Sequence, residues 1–141
     1  MTPEQIGKAL RRMRELIANG HWTQGLYQSE APLRTKLTAD DNNLRHVIPD
    51  SDVVPGQTCF CIAGALDYVL VHEMGKRPGF AKASGVDFEP MLDALFKYLP
   101  EHAKKQGYSV VANVINYNDH PARTEADMLA LLDRAIADYP Q

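Results

Sequence analysis

Residues 58–74 read Thr58-Cys59-Phe60-Cys61-Ile62-Ala63-Gly64-Ala65-Leu66-Asp67-Tyr68-Val69-Leu70-Val71-His72-Glu73-Met74, and this stretch decides the fold. It is apolar on nearly every side of a helical wheel. A helix of that kind has no face to give to water, so it belongs at the centre of the molecule. Thr58 suits the N-cap and Gly75 suits the stop. Gly64 and Ala65 leave a flat spot where another backbone can approach closely.

On the N-terminal side, residues 3–19 predict a second helix. Thr2 caps it, Pro3 takes the first helical position and Glu4 suits the first turn. Ile6, Leu10, Met13 and Ile17 form one apolar stripe. Lys8, Arg11, Arg12 and Arg14 lie off that stripe, Asn19-Gly20 ends the helix, and Trp22 follows at once.

On the C-terminal side, residues 76–86 form a Gly- and Lys-rich loop. Residues 89–99 predict a helix with Pro90 near its start and a stripe of Met91, Leu92, Leu95, Phe96 and Leu99. Pro100 interrupts it, and 101–106 add a further turn. The segment 108–117 sets propensity against periodicity. Val110, Val111, Val114 and Ile115 are β-branched, yet they fall at i, i+1, i+4 and i+5. With Ser109 as N-cap, the spacing assigns a helix. Asn118-Asp119-His120-Pro121 reads as a turn. Thr124-Glu125-Ala126-Asp127 is a capping box with Asp in the place of Glu, opening a last helix that runs to Asp138.

Between the first two helices, residues 23–57 carry Gly25, Pro32, Asp40, Asp41, Asn42, Asn43, Pro49, Pro55 and Gly56. That punctuation predicts loops with one short helical turn, and His46-Val47-Ile48 as a local packed or extended piece. The expected fold is all-α: about five helices packed around the central buried helix at 58–74, with a long irregular 23–57 segment, in one domain spanning residues 1–141.

Composition fits this assembly. The 141 residues are 45% hydrophobic and 23% charged, enough apolar content for a core without staples. The net charge of −3 argues against a protein that coats nucleic acid. Charge is uneven, with 7 basic and 5 acidic residues in 1–45 against 8 and 13 in 46–141, which leaves room for a basic face near the N-terminus. Cys59 and Cys61 are separated by one residue, too close for an unstrained disulfide, so a reducing cytoplasm is the expected location. No signal-peptide pattern, no membrane-length apolar run and no internal repeat is present.

Three pieces carry a family resemblance: Gly20-His21-Trp22-Thr23-Gln24-Gly25, Cys61-Ile62-Ala63-Gly64-Ala65-Leu66, and Tyr117-Asn118-Asp119 with Arg123-Thr124 opening the final helix. In order and spacing the chain resembles an uncharacterised family of small bacterial and phage domains of unknown function. Such proteins show Trp-x-x-Gly near the end of helix one, Cys-x-x-Gly-Ala on a buried helix, and aromatic-Asn-Asp before the last helix. This sequence has Tyr117 where the family more often has Trp, and its 23–57 segment is longer. The resemblance covers most of the chain. It implies the helical fold and the grouping of these residues, and it implies no reaction.

Cys61, Asp119 and His120 are the candidate catalytic residues. A thiol in the first turn of a helix gains thiolate character from free N–H groups and the helix dipole, and Asp119 and His120 lie on a turn that can reach it. His21, His46 and His72 compete with His120 for the role of base. The competing reading makes Cys61 a small core residue against Trp22, which its apolar neighbours favour. Trp22, Gln24, Asn118 and Asp119 are the candidate binding residues, against a reading of Asn118-Asp119 as turn chemistry alone. A zinc site from Cys59, Cys61, His46 and His72 lacks ligand spacing, so no metal and no cofactor is expected. Lys8, Arg11, Arg12 and Arg14 suit an acidic partner or RNA, but a solvated face with Glu15 pairing to Arg11 is the simpler account. No phosphate-cradling glycine loop, Gly-x-Ser-x-Gly or His-Glu-x-x-His is present.

The expected function is therefore a non-enzymatic binding or regulatory module. Its partner, a protein or small ligand, would meet Trp22, the 23–57 segment and the 118–120 turn. The alternatives are a cysteine-dependent hydrolase or transferase using Cys61, and a nucleic-acid accessory protein using helix one.

Overall fold

The computed structural model describes residues 1–34, 48, 50–76 and 88–139. Helix α1 spans Pro3–Ile17. Its capping box is closed: Thr2 Oγ1 accepts from the Gln5 N–H at 3.2 Å, and Gln5 Oε1 accepts from the Thr2 N–H at 2.8 Å. Ile6, Leu10, Met13, Leu16 and Ile17 are buried. Asn19 and Gly20, at φ of 60° and 84°, then turn the chain back on itself, a conformation that Asn and Gly tolerate best.

The strand β1, Gln28–Ser29, pairs antiparallel with β2, Cys59–Phe60, in the register Gln28 to Phe60 and Ser29 to Cys59. The central element therefore starts later than its apolar run. Helix α2 spans Ile62–Asp67 and continues as a π-helix over Tyr68–Glu73. Cys59 and Phe60 are not helical because their backbone groups find partners far back in the chain. Phe60 N–H donates to His21 O at 2.8 Å, and Thr23 N–H donates to Phe60 O at 3.0 Å. Thr58 does not cap the helix; its hydroxyl accepts from the Val54 N–H at 2.9 Å. Cys61 is the N-cap instead. Gly75, at φ of 70°, follows the π segment.

Helix α3, Glu89–Phe96, ends three residues before 99 and is followed by a 3-10 turn at Glu101–Ala103. Helix α4, Val110–Asp119, forms where periodicity and propensity disagreed, with Ser109 Oγ accepting from the Ala112 N–H at 3.1 Å. Its last turn includes Asn118 and Asp119, so the expected turn begins only at His120. Helix α5, Glu125–Ile136, carries the capping box of Thr124 and Asp127.

The predominantly α-helical fold closes by pairwise packing. α1 lies against α2, α3 and α5; α4 packs on α2 and α3; and α3 also touches α5. Leu10, Met13, Phe60, Ile62, Leu66, Leu70, Met91, Leu95 and Met128 fill the centre with 1% exposure or less. Each such side chain contributes about 1.5–3 kcal/mol of burial free energy. Of the 23–57 segment, the described residues hold β1 and a 3-10 turn at Asp50–Asp52. The expected piece at His46-Val47-Ile48 lies outside the described residues except for Ile48, whose carbonyl accepts from Gln28 Nε2 at 2.8 Å.

Candidate functional site

Trp22, Gln24, Asn118, Asp119 and Cys61 are brought together where the chain after α1 crosses the start of α2 and the end of α4. Asn118 is fully buried. Its Oδ1 accepts from Trp22 Nε1 at 2.8 Å and from the Ile62 N–H at 3.0 Å. Its Nδ2 donates to Thr23 O at 3.3 Å and to Asp119 Oδ1 at 2.8 Å. An indole and a backbone amide only donate, so the oxygen of Asn118 must face them.

Gln24, also fully buried, donates from Nε2 to Asn118 O at 2.7 Å and to His120 O at 2.8 Å. Those carbonyls belong to the end of α4, where the helix has exhausted its own donors. The second oxygen partner in this corner is Asp119 Oδ1, which also accepts from the Gly25 N–H at 3.0 Å. Arg34 closes the assembly from outside. Its guanidinium lies 4.8 Å from the centroid of the Trp22 ring and donates to Pro121 O at 3.2 Å and to Arg123 O.

The start of α2 is satisfied by the same crossing. Ile62 N–H goes to Asn118, Cys61 N–H goes to Tyr27 O at 3.2 Å, and Gly64 N–H goes to Cys61 Sγ at 3.3 Å. Tyr27 O sits where a side chain on residue 64 would be: a Cβ built on Gly64 falls 1.8 Å from it. Burial pushes the Cys61 thiol up to about 12; the Gly64 N–H opposes this and the Asp119 carboxylate reinforces it. That is the reverse of the lowering expected for a helix-start thiol, because here desolvation outweighs the helix dipole. Cys59 is also pushed up, first by burial, and its thiol lies 3.9 Å from Gly20 O.

The histidines are dispersed. His21 Nδ1 lies 2.9 Å from Ala18 O, and the His72 ring sits 5.3 Å from that of Tyr68. His120 is exposed, with Nδ1 accepting from the Ala122 N–H at 3.1 Å. His46 lies outside the described residues. Among the described residues, no group of three or more His, Cys, Asp and Glu side chains is placed to hold a metal ion.

The three arginines of the basic face of α1 are tied to the chain itself. Arg12 pairs with Glu73 and with Glu15, both at 2.9 Å, so Glu15 meets Arg12 rather than Arg11. Arg14 pairs with Asp133 at 2.6 Å, and Arg11 donates to Tyr139 O at 2.9 Å.

A cleft of about 400 Å³ opens beside the α4–α5 turn, with His120, Tyr117, Arg123, Lys105, His102 and Tyr108 among its walls. Arg123 stacks on the Tyr117 ring, with Cζ 3.6 Å from the centroid, and donates from Nε to Tyr117 O at 2.9 Å. Of these residues the sequence offered only His120 as a candidate site residue, while Tyr117 and Arg123 entered through the family resemblance alone. Lys105 and Arg123 were not proposed as site residues, since nothing local distinguishes a cation that lines a cleft from one on a solvated face, and Arg34, which stacks on Trp22, was likewise not singled out.

A family model described as "Family of unknown function (DUF6197)" matches residues 1–138. No curated protein and no solved structure matches the chain. Among the described residues, no helix is long and apolar enough to cross a membrane.

Proposed function

We propose that this chain, which belongs to the DUF6197 family of unknown function, is a non-enzymatic binding module whose recognition surface is the α4–α5 turn and the cleft beside it. The observation that carries this reading is the division of labour around Asn118. Trp22, Gln24 and Asn118 are buried and spend their polar atoms on one another and on the backbone. They act as a rigid footing. His120, whose carbonyl Gln24 holds, and Arg123, fixed on Tyr117, border the cleft. A cleft of a few hundred Å³ beside a preorganised backbone suits a small ligand. Cys61 supports the non-enzymatic side of the proposal, since a buried thiol held neutral makes a poor nucleophile.

Two free cysteines fit a reducing cytoplasm, and the short-motif resemblance points to a bacterial or phage source. The test is a thermal-shift panel of small molecules grouped by charge, run on the wild-type chain and on His120→Ala. At least one group should raise the Tm of the wild type and not of the variant. A panel that moves neither, or moves both equally, overturns the proposal.

A further inference from the structure

Taking the binding reading above as its basis, we infer that the cleft beside the α4–α5 turn takes the phosphate group of a small phosphate monoester. The argument rests on which polar atoms the cleft presents. Among its lining residues the charged and titratable side chains are His102, Lys105, His120 and Arg123, with two tyrosines and no carboxylate. In His120 the Nδ1 accepts from the Ala122 N–H. The proton of the neutral ring therefore sits on Nε2, which is a donor.

Arg123 uses Nε on Tyr117 O and its flat face on the Tyr117 ring. These two contacts fix the guanidinium plane and leave both Nη groups without a partner among the described residues. The Lys105 ammonium likewise has none there; its backbone N–H and carbonyl are held by the buried Asn113 side chain, at 3.1 Å to Oδ1 and 3.4 Å to Nδ2. Other basic side chains of the fold are neutralised: Arg12, Arg14, Lys97 and Lys104 all meet carboxylates.

A cleft of donors with fixed positive charge and no acid selects an anion rich in acceptors. A phosphate monoester offers three terminal oxygens and a charge near −2 at neutral pH, and a planar guanidinium matches two of those oxygens at once. The exposed Tyr108 ring on the same wall gives the organic part of the ester an apolar face. A nucleic-acid strand is the poorer fit. It needs a succession of unpaired cations along its backbone, and on α1 Arg12 and Arg14 are held by Glu73, Glu15 and Asp133 while Arg11 donates to Tyr139 O.

The test is a titration of backbone amide shifts with phenyl phosphate, benzoate and phenol at constant ionic strength, on the wild type and on Lys105→Gln. Phenyl phosphate should give saturable shifts at Lys105, Tyr117, Ala122 and Arg123. It should bind more tightly than benzoate or phenol. Lys105→Gln should weaken it about tenfold, the worth of one charge-assisted hydrogen bond, while leaving Tm unchanged. Arg123→Lys should also weaken it, because charge alone does not replace the two-pronged donor. Phosphate binding that matches benzoate or phenol, that fails to saturate, or that survives Lys105→Gln unchanged overturns the inference. If phenol or benzoate saturates the same amides and phenyl phosphate does not, the phosphate assignment falls and the binding reading stands. If nothing shifts these amides and the thermal-shift panel is blank, both fall.

Discussion

Trp22 and Asn118, 96 residues apart in the chain, are joined by a 2.8 Å hydrogen bond from the indole N–H to a carbonyl oxygen that also accepts from the first amide of α2. One oxygen thus satisfies two buried donors from two different parts of the molecule. It joins the segment that follows α1, the start of α2 and the end of α4.

Asn118→Ala strands both donors. Each stranded buried donor costs about 1–3 kcal/mol, so urea denaturation should show a loss of roughly 2–6 kcal/mol. Trp22→Phe should cost less by this route, because Ile62 keeps its acceptor. In a double-mutant cycle the two changes should couple by at least about 0.5 kcal/mol. Additive losses would mean that the bond contributes nothing of its own.

Gly64→Ala places a methyl against the Tyr27 carbonyl and its backbone carbon, at 1.8 and 2.5 Å. The obstacle is main chain and cannot rotate away, so the cost belongs at the upper end of overpacking, about 3 kcal/mol or more. Thermal unfolding that matches the wild type would mean the 21–33 segment can lift off α2 freely.

Native Cys61 should resist iodoacetamide until the protein unfolds. Its stability consequence has a definite sign. The unfolded thiol ionises from its ordinary value of 9.0, whereas the folded one holds its proton up to about 12. The folded state therefore binds more protons in that window, and this contribution to stability is complete below pH 9 and is lost as pH rises toward 12. The slope for one thiol is about 1.4 kcal/mol per pH unit. Cys59 and Tyr27 are shifted the same way, chiefly by burial, and add to the fall. Cys61→Ser keeps an N-cap acceptor for the Gly64 N–H and removes the titration. Its alkaline stability curve should be shallower than the wild type's by one thiol, as read by urea midpoints across pH. Labelling of the native wild type below pH 7, or identical slopes for the two proteins, would contradict the buried, neutral thiol.

Thr124→Ala opens the capping box of α5, whose two bonds are 3.2 and 2.9 Å long. The expected loss is about 1 kcal/mol, with Thr124→Ser nearly neutral. Equal losses in the two variants would assign the effect to the methyl group and not to the hydroxyl.

Much of the fold was legible because its signals are local. Thr2, Ser109 and Thr124 sit within three residues of the amides they cap, and the i, i+1, i+4, i+5 spacing of Val110, Val111, Val114 and Ile115 was enough to override their β propensity. The start of α2 was not legible. Cys59 and Phe60 look as helical as Ile62 and Ala63, and only the arrival of residues 21–29 draws their backbone into a sheet. Site legibility divided in the same way. Trp22, Gln24, Asn118 and Asp119 were singled out and do meet, but their burial, and the contribution of Arg34, Lys105 and Arg123, depend on neighbours distant in the chain.

The sequence by itself determined the helices and their buried stripes, since a helix closes its hydrogen bonds within four residues and shows its inner face in its own periodicity. Only the tertiary structure decided where α2 begins, which way the Cys61 thiol is shifted and what Asn118 holds. Those outcomes depend on partners 56 and 96 residues away, and on a desolvation that exists only once the chain has closed around them.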